Sequence, residues 1–246
     1  MSFFQKIAYR SRLSRPISVA PMVDITTPQF LELLHIISGQ ERFTYYTEMH
    51  HCQAILHHSS HLERFVGAPR SNVVVQLGGC EPIAMAQAAR TLQDHGYSHI
   101  NINNGCPSLN VQHGQFGAVL MKEPQRVAEI LLAIERAGVT VPVSVKCRIG
   151  VDDCDNSEFL HNYVNTLMSA KALPHLIVHA RKCILKGLSP KQNRSIPPLN
   201  YERVYELKKQ MSNLPISING GLTTVDQIES MLMKVDGCMI GRKSNI

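Results

Sequence analysis

Short apolar, β-branched runs recur along the chain at 17–22, 44–49, 73–78, 99–103, 143–149, 176–180, 216–219 and 237–240. Between them lie stretches with helical spacing, at 28–37, 82–95, 124–137, 158–171, 201–211 and 225–234. Runs such as Val73-Val74-Val75 and Val143-Ser144-Val145 suit strands covered on both faces, as in a parallel sheet. Start signals precede several helices: Glu81-Pro82, Asn156-Ser157 and Thr223-Thr224. This eightfold alternation predicts an α/β fold, a (β/α)8 TIM barrel. A doubly wound open sheet is the competing arrangement. It would carry fewer strands and a glycine-rich turn after the first, where this chain has Ala20-Pro21-Met22-Val23-Asp24. No solenoid repeat or low-complexity linker divides the chain, so 17–246 is expected to form one barrel preceded by a basic extension over 1–16. Few residues follow the eighth run, so the sequence as given predicts no eighth helix over the seam between strands eight and one.

Composition narrows this only a little. A chain of 246 residues with 44% hydrophobic and 18% charged residues suits a packed domain and excludes wholesale disorder. The net charge of +6 permits a polyanionic partner without identifying one. Seven cysteines, an odd number without framework spacing, point to reduced thiols inside a cell. No apolar run approaches the roughly 18 residues of a membrane-spanning helix. The first fifteen residues hold Lys6, Arg10, Arg12 and Arg15 and no acid. They read as the extension of a cytoplasmic protein, with an organelle-targeting segment as the alternative.

The chemistry gathers at the C-terminal ends of the strands, where barrels of this kind build their active sites. Strand four runs into Asn103-Asn104-Gly105-Cys106-Pro107, and Pro107 fixes where that strand stops because it has no N–H to donate. Strand one ends at Pro21-Met22-Val23, two at Glu48, and three at Gln76 with Gly78-Gly79. Strand five carries Lys146 and Arg148, six His179 and Arg181, seven Asn219-Gly220-Gly221, and eight Gly241-Arg242. Glycine turns after strands seven and eight allow backbone N–H groups to approach a phosphate. With Lys146 and His179 aimed inward, a flavin mononucleotide fits: its phosphate suits the glycines and its ring suits the lysine and histidine. The bland readings pair Lys146 with a barrel carboxylate such as Glu48, make Gln76 a satisfied interior amide, and leave Cys106 an inert thiol. The segment with His50, His51, Cys52, His57, His58 and His61 has seven-residue spacings that would share a helix face. It matches no zinc pattern, so no metal site is expected there.

At these residues the chain resembles the tRNA-dihydrouridine synthases, flavin enzymes that reduce uridine in tRNA, and within them the branch acting on U20 and U20a of the D-loop. The matching stretches include 19–22, 46–49, 76–79, 103–121, 145–146 with 148–150, 179–182, 187–191 with 193–194, 217–221 and 241–242. The resemblance implies FMN reduced by NADPH, a tRNA substrate, and a further all-helical domain after the barrel that grips tRNA. It also implies roles: Pro21, Met22 and Val23 packing on the isoalloxazine with Gln76 hydrogen-bonding it, and Lys146 and His179 at the flavin's polar edge or phosphate tail. Asn219, Gly220, Gly221, Gly241 and Arg242 would bind the phosphate, and Cys106 would donate the proton. Asn103, Arg148, Arg181, Lys182, Lys191 and Arg194 would meet the base or the RNA, and Gly105, Gly114 and Gly117 would give the Cys106 loop hinge freedom. Asn104 departs from the family's apolar residue, a change expected to act on the turn after strand four. The competing functions are a flavin barrel reducing a free pyrimidine or enone, and an inactive RNA-binding remnant.

Overall fold

The computed structural model describes residues 12–38 and 42–242. Within them eight parallel strands close in chain order into a barrel. They are β1 (Ile17–Val19), β2 (Thr44–His51), β3 (Val73–Gly78), β4 (Ile100–Asn104), β5 (Val143–Arg148), β6 (Leu176–His179), β7 (Ile216–Asn219) and β8 (Gly237–Ile240). Closure is made by β1 on β8, with Ser18 opposite Met239. The helices are α1 (Pro28–Ser38), α2 (Cys52–His57), α3 (Leu62–Val66), α4 (Pro82–Asp94), α5 (Leu109–His113), α6 (Pro124–Arg136), α7 (Ser157–Ala170), α8 (Tyr201–Gln210) and α9 (Val225–Leu232). None of the described helices is long and apolar enough to cross a membrane.

Strand alternation sorts side chains between two environments. On β5, Val143, Val145 and Cys147 join the large cluster packed under the helices. Ser144, Lys146 and Arg148 take the other face, toward the barrel axis. Ala20, Tyr46, Val74, Ile177 and Met239 form a separate apolar cluster contributed by four strands and the residue that follows β1. Below it His175 shares a 2.8 Å hydrogen bond with Ser217 Oγ. There too Asp236 accepts from Ile216 N at 2.8 Å and pairs with Lys208 at 2.7 Å.

Several boundaries differ from the sequence reading for visible reasons. β1 stops at Val19 rather than 22, because the Met22 carbonyl accepts from Ile25 N and Thr26 N and turns the chain. β2 continues to His51, so His50 and His51 lie on a strand and share no helix face with His57 and His58. Asn156 caps α7 through Phe159 N at 2.7 Å, and Thr224 and Gln227 cap α9 reciprocally. Glu81 makes no side-chain cap; α4 starts on Pro82 instead. Of the basic extension, residues 1–11 lie outside the described residues, as do 243–246; Arg15 donates to the Ser71 carbonyl at 3.3 Å.

Candidate active site

A chain of side-chain hydrogen bonds climbs the barrel interior and ends beneath Cys106. Ser144 Oγ accepts from Asn101 Nδ2 at 2.9 Å, Asn101 Oδ1 accepts from Gln76 Nε2 at 2.7 Å, and Gln76 Oε1 accepts from Asn103 Nδ2 at 2.8 Å. Asn103 Oδ1 then accepts from the Gly105 and Cys106 backbone N–H groups at 3.1 and 2.9 Å. Cys106 is half-buried, and its Sγ donates to Ser108 Oγ at 3.6 Å. Its carbonyl accepts from Ala118 N at 2.9 Å, across Gly117. Gly117 has φ +69°, and a Cβ there would stand 2.6 Å from that carbonyl oxygen. The Cys106 loop is packed about Gly114 and Gly117: Val111, Phe116 and Ala118 are buried, and a Cβ on Gly114 would strike the Phe116 ring at 2.6 Å.

Cations surround the rest of the mouth. Lys146 Nζ donates to Asn219 Oδ1 at 3.1 Å, while Asn219 Nδ2 donates to the Met239 carbonyl at 2.8 Å. This ties β5, β7 and β8 together at one level. Burial, then the neighbouring Arg148 charge, draws the Lys146 ammonium down to about 8. His179 is held well below its ordinary value, first by burial and then by Arg148, Lys146, Arg181 and Arg242, so it is neutral. Arg148, Arg181 and Arg194 are lowered as well, burial being the largest cause for each. Among the described residues, none of Lys146, Arg148, Arg181, Arg194 and Arg242 has a carboxylate at ion-pair distance; the ion pairs lie elsewhere. The mouth is thus a cationic set, buried at Arg148, half-buried at Lys146 and Arg181 and exposed at Arg194 and Arg242, that an anion would complete.

The turns beside this set are shaped by glycine. Gly220 has φ +113°, and a Cβ there would stand 2.7 Å from the His179 ring; its carbonyl accepts from Tyr201 at 2.9 Å. Gly221 has φ +72°. At Gly241 an added Cβ would meet, among the described residues, only Ala20 at 4.0 Å. Val23 is an exposed apolar residue.

The remaining residues singled out in the sequence divide. Arg148 is buried, with Nε donating to the Gly105 carbonyl and Nη1 to the Lys182 and Asn193 carbonyls. Arg181 donates to the Ser195 and Pro197 carbonyls, and Arg242 to that of Arg194. Lys182 turns back to pair with Asp155 at 2.8 Å, whereas Lys191 and Arg194 are exposed on the loop. Lys146 does not reach Glu48, which accepts from Asp24 N at 3.2 Å. Asn104 does not shape the turn: it faces outward from β4, and its Nδ2 meets the Tyr163 hydroxyl at 2.5 Å. Sequence reasoning missed Asn101 and Ser144, whose signal was a polar residue on the inward parity of an apolar strand. It also missed Gln112, which donates to both the Pro107 and Leu185 carbonyls at 2.8 and 2.9 Å. In the histidine segment His58 Nδ1 and His61 Nε2 stand 3.0 Å apart. Among the described residues, no group of three or more His, Cys, Asp and Glu side chains is placed to hold a metal ion.

Comparison with solved structures returns the same barrel. Morphinone reductase superimposes with a TM-score of 0.62 at 12% identity, covering 94% of this chain and 82% of that one. Such identity speaks for the fold alone. Sequence relatives are nearer. The tRNA-dihydrouridine(20/20a) synthase of Shewanella oneidensis is 44% identical over 232 residues, 94% of this chain and 68% of the relative. That of Escherichia coli K12 is 44% identical over 227 residues, 92% of this chain and 65% of the relative. The chain thus spans about two thirds of the length of these relatives. The dihydrouridine synthase family model matches residues 18–245, from β1 past β8, and the chain belongs to that family.

Proposed function

We propose that this protein reduces the C5–C6 bond of uridine in tRNA to dihydrouridine, with FMN as its bound flavin and NADPH as reductant, at U20 or U20a, in the cytoplasm. The observation that carries this reading is the cationic set of Lys146, Arg148, Arg181 and Arg242 around neutral His179, with no carboxylate at ion-pair distance among the described residues and with Arg148 bonded to the carbonyl next to Cys106. A phosphorylated flavin fits it: the phosphate would lie at Gly220, Gly221, Gly241 and Arg242, and the ring would lie by Pro21, Met22, Val23 and Gln76. When bound, the reduced flavin supplies a hydride to C6 of the base.

The chain's own residues supply the rest. Cys106 gives its proton to C5, so C5=C6 gains one hydride and one proton and the charge balances. Ser108 Oγ, which accepts the Sγ–H before transfer, holds the thiol on its line. Asn103 fixes the loop beneath it through two backbone N–H groups. Lys191 and Arg194, exposed on the loop after β6, would meet RNA phosphates. Family membership and the 44% identity to tRNA-dihydrouridine(20/20a) synthases support tRNA over a free pyrimidine.

The test is to load the protein with FMN, supply NADPH and unmodified tRNA, and map dihydrouridine by mass spectrometry. Product at position 20 or 20a of tRNA, with free uridine untouched, is expected. Equal turnover of free uridine, or protein that stays colourless with FMN, would overturn the reading.

A further inference from the structure

The interior hydrogen-bond chain has only one possible direction. Asn103 accepts from two backbone N–H groups, so its oxygen must face the Cys106 turn and its nitrogen must face Gln76. Gln76 must then offer oxygen to Asn103 and nitrogen to Asn101. Asn101 in turn offers nitrogen to Ser144, whose hydroxyl also lies 3.3 Å from the Ile100 carbonyl. Reversing any one amide would set two donors or two acceptors face to face in a buried space without solvent. All four side chains are buried, and Gln76, Asn101 and Ser144 are in register on neighbouring strands.

We infer that Asn101 and Ser144, two side chains below the mouth of the barrel, are positioning residues that lock the orientation of Gln76 and Asn103 and thereby the place of Cys106. Ser144 accepts the last amide donor of the series, and its hydroxyl also meets that of buried Tyr46. Without its oxygen, Asn101 Nδ2 is buried without a partner, and the flip that would relieve it collides with the orientation imposed from Asn103. The conflict falls on the turn of Gly105 and Cys106, whose two backbone N–H groups Asn103 Oδ1 holds. Its consequence for proton donation rests on the reaction proposed above, whereas the positioning itself does not.

Alkylation of Cys106 by iodoacetamide in flavin-free protein, read by peptide mass mapping against exposed Cys154, tests the positioning directly. Ser144→Ala and Asn101→Leu are expected to change the Cys106/Cys154 rate ratio by about threefold or more, as a released turn opens more often. Ser144→Thr keeps the oxygen and is expected to restore the wild-type ratio. In turnover with tRNA, Ser144→Ala should lower kcat by about tenfold at unchanged KM, the signature of a misplaced donor. An unchanged ratio in Ser144→Ala, with far-UV circular dichroism intact, would overturn the inference; that variant decides even if Asn101→Leu does not fold. A changed ratio in protein that never turns over tRNA, wild type included, upholds the positioning and removes only the proposed reaction.

Discussion

Arg148 and Gly105 are joined by a 2.7 Å hydrogen bond from Nε to the carbonyl oxygen, one residue before Cys106. The same guanidinium reaches the Lys182 and Asn193 carbonyls at 3.1 and 3.2 Å. Gln112 makes a second bridge from Pro107 to Leu185. The loop bearing the thiol and the basic loop after β6 are therefore fastened to each other at two points. RNA engaging Lys191 or Arg194 would act on a body that already includes Cys106.

Replacing Arg148 by lysine keeps the charge but cannot span three carbonyls from two nitrogens. Arg148→Lys is expected to lower dihydrouridine formation by about 10²-fold, because misplacement by about 1 Å costs that much. The thermal midpoint should also fall as buried carbonyls lose donors. Gln112→Ala, which cuts only the second bridge, should cost less. Activity and thermal unfolding of the two variants check this; equal, negligible effects would show the loops to be independently fixed.

Cys106→Ala should keep the yellow flavin yet lose uridine reduction by about 10²-fold or more, since general acid catalysis contributes on that scale. Single-turnover mixing with tRNA, following flavin absorbance and dihydrouridine together, separates binding from protonation. Wild-type product yield in this variant would assign the proton elsewhere.

Much of this was readable beforehand, and the unreadable part has physical causes. Eight β-branched runs told of the barrel because covered parallel strands need apolar residues on both faces. Pro107 marked the end of β4, and Asn156 and Thr224 announced their helices. Pairings across the sequence carried no such local sign. Nothing near Lys182 says that Asp155 will hold it, and nothing near Arg148 says that its donors go to backbone carbonyls. The short helices α2, α3 and α5 are five or six residues long, too brief for periodicity to declare.

Lys146 gives the anion site a pH dependence. Its folded-state value near 8 means that it is charged below that pH and neutral above it. Affinity for FMN should hold up to about pH 7.5 and then weaken, approaching a tenfold loss per unit as a single proton is lost. Fluorescence titration from pH 6.5 to 9.5 measures this. Lys146→Met should bind weakly and without the bend; a bend that persists would place the titrating group elsewhere.

Acid should unfold the protein through its buried histidines. His50 and His175 are each lowered to about 4 by burial, so the folded form binds fewer protons than the unfolded chain between about pH 6.5 and 4. Stability is therefore complete above about 6.5 and is lost as pH falls through that window. His175→Gln keeps a partner for Ser217 Oγ but cannot take up the proton. Urea midpoints measured between pH 7.5 and 4.5 should fall less steeply for this variant than for wild type. Identical slopes would show that His175 does not contribute.

Asn104 meets Tyr163 through its nitrogen, which leaves Oδ1 buried without a partner. Both side chains lie in the apolar layer between β4 and α7, where an unpaired amide oxygen costs on the order of 1–3 kcal/mol. Removing only the hydroxyl, in Tyr163→Phe, strands the amide nitrogen as well and should destabilise by about 1–3 kcal/mol. Replacing both partners, in Asn104→Leu with Tyr163→Phe, removes both members of the hydrogen bond at similar volume. That double variant should be neutral or more stable than wild type, with the coupling between the sites read from the double-mutant cycle. Equilibrium urea unfolding of the four proteins decides the matter. A double variant as unstable as Tyr163→Phe alone would mean that the Asn104–Tyr163 hydrogen bond contributes net stability despite the unpaired oxygen.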